Sequence, residues 1–359
     1  MNTLEPETID EAEGMLRNLR ERVMFVGGGT QLGLGPAPEL LLSTRLLNRI
    51  VDYAPSDQVV TVEAGVTLGT LQQALQKQGQ RLSLDPPLPE RATLGGIIAA
   101  NSFGPMRTRY GSVRDLIIGV SIVRADGTRA KGGGKVVKTV AGFDLPKLMC
   151  GSLGTLGLIA AATFRVHPLP ESAATLVARG VPAAGVFSLV KAMRAAQLEP
   201  SAMAATRSSA GWEIAIRFEG FDAGVKQQRE KLRKLGSFED APGPDDFWTA
   251  QEKLRLSSDV RVKLAALPSQ LEQVAQALPD FRLCWYPTLG LGFAMHDGDL
   301  DLEPARRAVA ALGGSFTVEA APRGSAWGPP PESLRVHQQI KSRFDPQGLL
   351  APGRFIGGI

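Results

Sequence analysis

Residues 23–30 read VMFVGGGT, a short apolar run that ends in three consecutive glycines and a threonine. The run predicts a buried strand, and the glycines predict a turn directly after it. Glycine has no side chain, so its backbone can approach a ligand closely and turn several N–H groups toward it. By itself, the turn is compatible with a phosphate-binding nest of amides or with a tight connecting loop.

Two common phosphate-binding motifs do not fit this region. A dinucleotide-binding fingerprint needs a third glycine at a fixed offset, whereas the GLG run at residues 33–35 is followed by Pro36. A P-loop needs a Ser or Thr after its lysine to contact magnesium, whereas Val136 follows Lys135 after a later run of glycines. Any phosphate site here must therefore use another kind of glycine turn.

Two further glycine clusters follow at intervals along the first half of the chain. The second cluster, residues 93–104, reads TLGGIIAANSFG, and the third, residues 151–159, reads GSLGTLGLI. YGSVRD at residues 110–115 and GFDL at residues 142–145 lie between them. One cluster could be an ordinary turn, but three of them, each flanked by strand patterns, favour one shared binding site.

In this order, the motifs resemble the FAD domain shared by vanillyl-alcohol oxidase, D-lactate dehydrogenases and the glycolate oxidase flavoproteins. The resemblance extends from about residue 4 to residue 168. The terminal run RFDPQGLLAPGR at residues 343–354 is similar to the closing FDP…NPGK segment of that family. Length and a short second domain look most like the FAD-binding E subunits of bacterial glycolate oxidases. The resemblance implies a vanillyl-alcohol-oxidase-type (PCMH-type) FAD-binding domain.

The resemblance also implies that most contacts with FAD come from the backbone of the three glycine turns. The first turn would surround the pyrophosphate with amides. The second would approach it from the other side and continue toward the flavin, and the third would line the cofactor channel and contact the adenine end. The implied cofactor-binding residues are Val26, Gly27, Gly28, Gly29, Thr30, Thr93, Gly95, Gly96, Ser102, Phe103, Gly104, Gly151, Ser152, Gly154 and Ile159.

Departures from the family bear on flavin attachment and catalysis. Relatives with covalent flavin carry His or Cys at the first loop or in a later segment, whereas Gln31 follows Thr30 here and Cys150 lies in an apolar helix pattern. We therefore expect non-covalent FAD. The catalytic relatives carry a metal motif with two His, whereas His296 has only aspartates nearby, and Ala351 replaces the Asn of the closing segment. We expect no metal site, and no catalytic residue can be assigned.

Side chains that could bind a substrate carboxylate lie in the second half. Arg261 and Lys263 alternate on one predicted strand and so share a face, and Arg323 lies in a later loop. Each of them also suits a solvated surface. Trp285, Tyr286 and Trp327 could line a flat pocket, and Trp285 and Trp327 could form a partner surface, whereas core packing is the ordinary role of aromatic residues.

The second half predicts a ferredoxin-like β-α-β-β-α-β order, which makes the chain an α+β protein with a cap domain. We expect domains at residues 1–170, 171–331 and 332–359, the last returning to the FAD domain. The six predicted elements are residues 260–267, 268–278, 281–287, 291–296, 303–312 and 315–320.

Composition limits the partners that the chain can have. It has two cysteines, too few for an iron–sulfur cluster, and we expect Cys150 and Cys284 to be free thiols. A net charge of +4 without a basic stripe argues against nucleic acid, and no apolar run is long enough to span a bilayer. We expect a cytoplasmic protein, peripheral to the inner membrane only through partners.

The resemblance implies a glycolate oxidase complex that oxidises a small 2-hydroxy acid, in which the partners are a sister FAD subunit and an iron–sulfur subunit. Two alternatives stay open at this point. One is an FAD-loaded relay or scaffold that supports a sister catalytic flavoprotein, and the other is a nucleotide-binding regulatory domain without flavin.

Overall fold

The computed structural model describes residues 2–33, 36, 39–134, 143–243, 245–321 and 325–359. The chain divides into two compact units. The first comprises Met1–Gly104, Tyr110–Leu169 and Pro329–Ile359, and the second comprises Pro105–Arg109 and Pro170–Gly328. The prediction that domains end after residues 170 and 331 stays a prediction.

Strands and helices alternate along both units. The strands are β1 (Asn2–Leu4), β2 (Val23–Val26), β3 (Leu40–Ser43), β4 (Ile50–Ala54), β5 (Val59–Glu63), β6 (Gln80–Arg81), β7 (Ile117–Val123), β8 (Arg129–Gly133), β9 (Leu158–Arg165), β10 (His167–Pro168), β11 (Ser172–Val181), β12 (Ala202–Ser208), β13 (Gly211–Gly220), β14 (Glu239–Asp240), β15 (Val260–Ala265), β16 (Arg282–Tyr286), β17 (Leu291–His296) and β18 (Ser315–Ala320). The helices are α1 (Ile9–Arg17), α2 (Leu68–Gln76), α3 (Leu94–Ala100), α4 (Arg107–Tyr110), α5 (Val113–Leu116), α6 (Leu145–Met149), α7 (Ala183–Ala195), α8 (Asp222–Arg233), α9 (Asp246–Leu256), α10 (Leu271–Ala277), α11 (Glu303–Ala311) and α12 (Leu334–Phe344).

The first unit contains a five-stranded antiparallel sheet in the order β4-β5-β9-β7-β8 and a parallel sheet in the order β1-β3-β2. Its largest apolar cluster joins β5, β7 and β9 to α2 and α3. Local chemistry explains several boundaries: Thr67 caps α2 by accepting the Thr70 N–H at 3.1 Å, and Gly127, with a φ of 75°, makes the turn between β7 and β8.

The second unit contains one eight-stranded sheet in the order β14-β11-β13-β12-β16-β17-β15-β18. Elements β15 to β18, with α10 and α11, have the predicted β-α-β-β-α-β order. Elements β11 to β14, with α7 and α8, repeat it, and each half has the strand order 4-1-3-2 of a ferredoxin-like unit. The halves join where β12 pairs with β16. The sequence prediction therefore found only one of two similar halves.

All four of those helices contribute to one apolar cluster with the sheet. In β16, Leu283 and Trp285 belong to this cluster, whereas Cys284 and Tyr286 contact Gln251 of α9 instead. Because neighbouring strand residues point to opposite faces, α9 covers the other face of the sheet.

Two residues considered for functional roles have structural ones. Trp285 is 1% exposed and lies in the core cluster, so core packing is right for this residue, and a role in a flat pocket or a partner surface is wrong. His296 is the last residue of β17, and its ring lies 5.7 Å from that of Phe281. The His296 ring therefore packs against a residue of the core cluster. Within the described ranges, no helix is long and apolar enough to cross a membrane.

The two cysteines are free, as predicted, and provide a test of the packing. Burial raises the pKa of the Cys150 thiol to about 12 and that of Cys284 to about 11. Since the thiolate is the reactive form, we expect neither thiol to react with a disulfide reagent at pH 8 unless the protein is unfolded.

The same pKa shifts predict a loss of stability in alkali. A raised folded pKa stabilises the fold below the unfolded value of about 8.5, and this stability is lost as pH rises above it. The melting temperature should fall above about pH 9, and it should fall less in Cys284→Ala. Rapid stoichiometric labelling of Cys150 or Cys284 by the disulfide reagent in the native protein would contradict the buried environment of the thiols.

Candidate FAD site

A cleft in the first unit brings together the three glycine turns and the C-terminal tail, which is residues 345–359 after α12. The first turn follows β2, the second begins α3, and the third precedes β9. The lining residues are Phe25, Val26, Gly27, Gly28, Gly29, Thr30, Gln31, Leu32, Thr44, Thr93, Gly95, Gly96, Ala99, Ala100, Leu153, Gly154, Gly157, Leu158, Ile159 and Arg354.

Glycines of the first turn are required because this turn lies directly against the second. A Cβ atom on Gly27 would lie 2.0 Å from the Oγ1 atom of Thr93, and one on Gly28 would lie 1.7 Å from the Arg91 carbonyl oxygen. Neither distance is physically possible. The first turn therefore needs these glycines for its own packing, before any ligand is considered.

The amides of this turn provide donors for an anion. Within the part of the chain that the structure describes, the N–H groups of Gly28, Gly29 and Thr30 donate no hydrogen bond. Gly29 has a φ of 68°, which turns successive amides toward one side. Such a group of adjacent donors fits the phosphates of FAD, because it can bind them without side chains.

The second turn is held by a helix cap and by close backbone contact. The Thr93 Oγ1 atom accepts the Gly96 N–H at 3.3 Å. The Gly95 N–H donates at 2.8 Å to the carbonyl of Ala64, the residue directly after β5. A Cβ atom on Gly95 would lie 2.7 Å from that of Ala64. The small side chains of Ala99 and Ala100 then leave the cleft open along α3.

Several residues of the third turn have left-handed backbone conformations. Gly151, Leu153 and Gly154 have φ values of 84°, 53° and 80°. Leu153 is unusual there, because a branched side chain disfavours this region, and its N–H donates to the Ala99 carbonyl at 2.9 Å. The bond ties the third turn to α3 and forms one wall of the cleft.

Most of the predicted cofactor residues line this cleft, but five do not. Val26, Gly27, Gly28, Gly29, Thr30, Thr93, Gly95, Gly96, Gly154 and Ile159 line it, whereas Ser102, Phe103, Gly104, Gly151 and Ser152 lie outside it. Asn101, the C-cap residue directly after α3, has a φ of 48° that redirects the chain before Ser102. The roles of all fifteen residues toward FAD stay predictions.

Sequence reasoning missed the polar contribution of the tail. Arg354 is 6% exposed, and its Nη2 atom donates to the Gln31 carbonyl at 2.9 Å. The similarity of the tail to the closing segment of the family was the available signal. That signal indicated docking of the tail, and it gave no reason to place the guanidinium beside the first glycine turn.

Comparison with known proteins identifies the family. Residues 3–133 match the family described as FAD binding domain. The chain is 31% identical to glycolate oxidase subunit GlcE of Escherichia coli, over 96% of this chain and 97% of that protein. It is 27% identical to glycolate oxidase subunit GlcD of Bacillus subtilis, over 97% of this chain and 87% of that protein. The chain belongs to this family of FAD-dependent oxidoreductases.

A solved structure has the same fold despite a distant sequence. Alkyldihydroxyacetonephosphate synthase superposes with a TM-score of 0.74 at 18% identity, over 98% of this chain and 77% of that chain. The predicted fold class is therefore confirmed. FAD is the cofactor of the family, as predicted, whereas its non-covalent attachment stays a prediction.

The other sequence candidates do not gather at the cleft. Arg261 and Lys263 share the face of the second unit's sheet that carries Phe293, and Arg323 lies outside the described residues. Within the described ranges, no three His, Cys, Asp or Glu residues are grouped to hold a metal.

Acid release tests how FAD is attached. The cleft is lined by no His or Cys among the described residues, and these side chains form the covalent links to flavin in the family. We expect acid precipitation of the yellow protein to leave all flavin in the supernatant as FAD. A yellow pellet that keeps its flavin after washing would contradict this expectation.

A steric variant tests the position of the cleft. Gly28→Val is a poor probe because its side chain would collide with Arg91, whereas Ala100 is half-buried and lines the cleft. We expect Ala100→Phe to weaken FAD binding at least tenfold, about 1.4 kcal/mol, in a fluorescence titration.

The matched control is Ala74→Phe, because Ala74 is a half-buried alanine of α2 that lies outside the cleft. It should bind FAD normally. The melting temperature of each variant without FAD separates loss of binding from loss of folding. Unchanged affinity in a folded Ala100→Phe variant would show that FAD binds elsewhere.

Proposed function

We propose that the chain is the FAD-binding subunit of a glycolate-oxidase-like complex, which oxidises a small 2-hydroxy acid such as glycolate or D-lactate to the 2-oxo acid. The single observation that supports this proposal most is its similarity to GlcE along nearly the whole length of both chains. Similarity to GlcD, and to the mitochondrial D-2-hydroxyglutarate dehydrogenase of Bos taurus at 27% identity, supports the substrate class.

Bound FAD supplies an acceptor for the two electrons that the 2-hydroxy acid loses. The first contribution of this chain is to bind FAD, because the three glycine turns present backbone amides and little side-chain volume to the cofactor. The substrate must lose a hydride from C2 and a proton from its hydroxyl, so it needs a base and a cation for its carboxylate. Neither group is assigned to a residue of this chain.

We further propose that electrons leave through a partner subunit that carries an iron–sulfur cluster. The chain has two cysteines, Cys150 in the first unit and Cys284 in the second, whereas a cluster usually takes four. A sister FAD subunit of the GlcD kind completes the proposed complex. The names of the two bacterial relatives support such an assembly, since both are called subunits of glycolate oxidase.

A second candidate is an FAD-loaded relay or scaffold that supports a sister catalytic subunit. The surroundings of His296 favour it. Asp297 is paired with Arg282, whose Nη2 atom lies 2.7 Å from the Asp297 Oδ1 atom. This pair lies at the surface, and within the described ranges no three His, Cys, Asp or Glu residues are grouped around it to hold a metal, so the two-His metal motif of the catalytic relatives gains no support here.

Reconstitution with partners tests whether the chain needs them for turnover. The chain is expressed alone and with its sister flavoprotein and iron–sulfur subunits, and glycolate and D-lactate are assayed with an artificial dye. We expect little turnover from the chain alone and full turnover from the complex. Rapid turnover by the chain alone, near the roughly 10 s⁻¹ typical of enzymes, would contradict the need for partners.

The same complex carrying Ala100→Phe shows whether the flavin of this chain is used. If the proposed electron path runs through it, a complex that assembles without this flavin should be inactive. Full activity of such a complex would instead support the scaffold. No activity with any 2-hydroxy acid, in a complex with every flavin bound, would contradict both candidates.

A further inference from the structure

We propose that Arg354 of the C-terminal tail is a cofactor-binding residue, which supplies the positive charge for the phosphates of FAD. The glycine turns account for backbone donors, but they carry no charge. The tail would thereby form part of the cofactor site, in addition to closing the fold of the first unit.

The charge distribution of the cleft is the first argument. Among the described residues that line it, Arg354 is the charged one, and the others are glycine, alanine, threonine, glutamine and apolar residues. The pyrophosphate of FAD is anionic, and arginine matches phosphate oxygens with parallel N–H donors. A cleft with a single positive side chain and adjacent free amides is therefore suited to this part of the cofactor.

The position of the guanidinium is the second argument. Its contact with the Gln31 carbonyl places it at the end of the first turn, one residue after the free amide of Thr30. Burial of a guanidinium costs free energy, and here burial lowers the pKa of Arg354 below its usual value. A phosphate bound beside it would add charge-assisted hydrogen bonds to the guanidinium.

The tail is held firmly enough to position such a residue. The Val23 carbonyl accepts the Ala351 N–H at 2.7 Å, so the tail pairs with β2 immediately before the first turn. The Asp345 carboxylate accepts the Leu350 N–H at 2.8 Å and pairs with Lys341 at 2.7 Å.

Lys341 also joins the tail to the third turn. Its Nζ atom donates to the Leu350 carbonyl at 2.7 Å and to the Thr155 carbonyl at 2.8 Å. Thr155 lies between Gly154 and Gly157, which both line the cleft. The tail is thus bonded to the first and third glycine turns, and Arg354 is held between two elements that line the cofactor cleft.

Titrations of purified apoprotein with FAD and with ADP test the proposal, because ADP carries the phosphates without the flavin. The variants are Arg354→Gln and Arg354→Lys. We expect Arg354→Gln to weaken binding of both ligands at least tenfold and to reduce the dependence of affinity on salt. Arg354→Lys, which keeps the charge, should lose less than about threefold.

Arg45 provides the matched control. Its Nε atom donates to the Gly27 carbonyl of the same turn at 3.3 Å, but its side chain is exposed and does not line the cleft. Arg45→Gln should bind FAD and ADP as the wild type does. The melting temperature of each apoprotein shows whether the variant is folded.

Two results would overturn the proposal. One is wild-type affinity for FAD in folded Arg354→Gln. The other is equal loss in Arg354→Gln and Arg354→Lys with an unchanged salt dependence, which would mean that Arg354 only supports the loop. If Arg354→Gln does not fold, Arg354→Lys decides: near-normal affinity with the wild-type salt dependence supports the charge, and loss of FAD binding contradicts it.

Discussion

The contact between the first and second glycine turns is the constraint on which the rest of the site depends. Gly27 and Gly28 lie so close to residues 91–93 that neither has room for a Cβ atom. This approach sets the distance between the end of β2 and the start of α3. Three residues of the first turn that line the cleft have N–H groups that donate no hydrogen bond in the described structure. Everything proposed about phosphate binding follows from those amides.

The tail completes this arrangement because it adds charge and rigidity where glycine provides neither. Ala351 has a φ of 43° and is 2% exposed, so the chain turns sharply in a buried position before Arg354. Asparagine tolerates this conformation better than alanine does. The turn at Ala351 is therefore a backbone conformation that the asparagine of the family's closing segment adopts more readily than alanine.

Glycine-based features were predictable from the sequence, and features set by distant contacts were not. The turn after Val26 and the cap at Thr93 depend on local residue types, so their patterns are visible in the sequence. The first ferredoxin-like half escaped prediction because α8 is largely polar and β14 has two residues. Arg354 escaped because its neighbour Gln31 is more than three hundred residues away, and no local pattern encodes that contact.

Hydrogen exchange of the protein with and without FAD tests the central claim, that the three turns and the tail hold the cofactor together. Bound FAD should protect the amides of residues 26–32, 93–100, 151–159 and 349–354, with the greatest slowing at Gly28, Gly29 and Thr30, because these donate no hydrogen bond in the described structure. Unchanged exchange across residues 26–32 at saturating FAD would contradict the account, whatever protection appeared elsewhere.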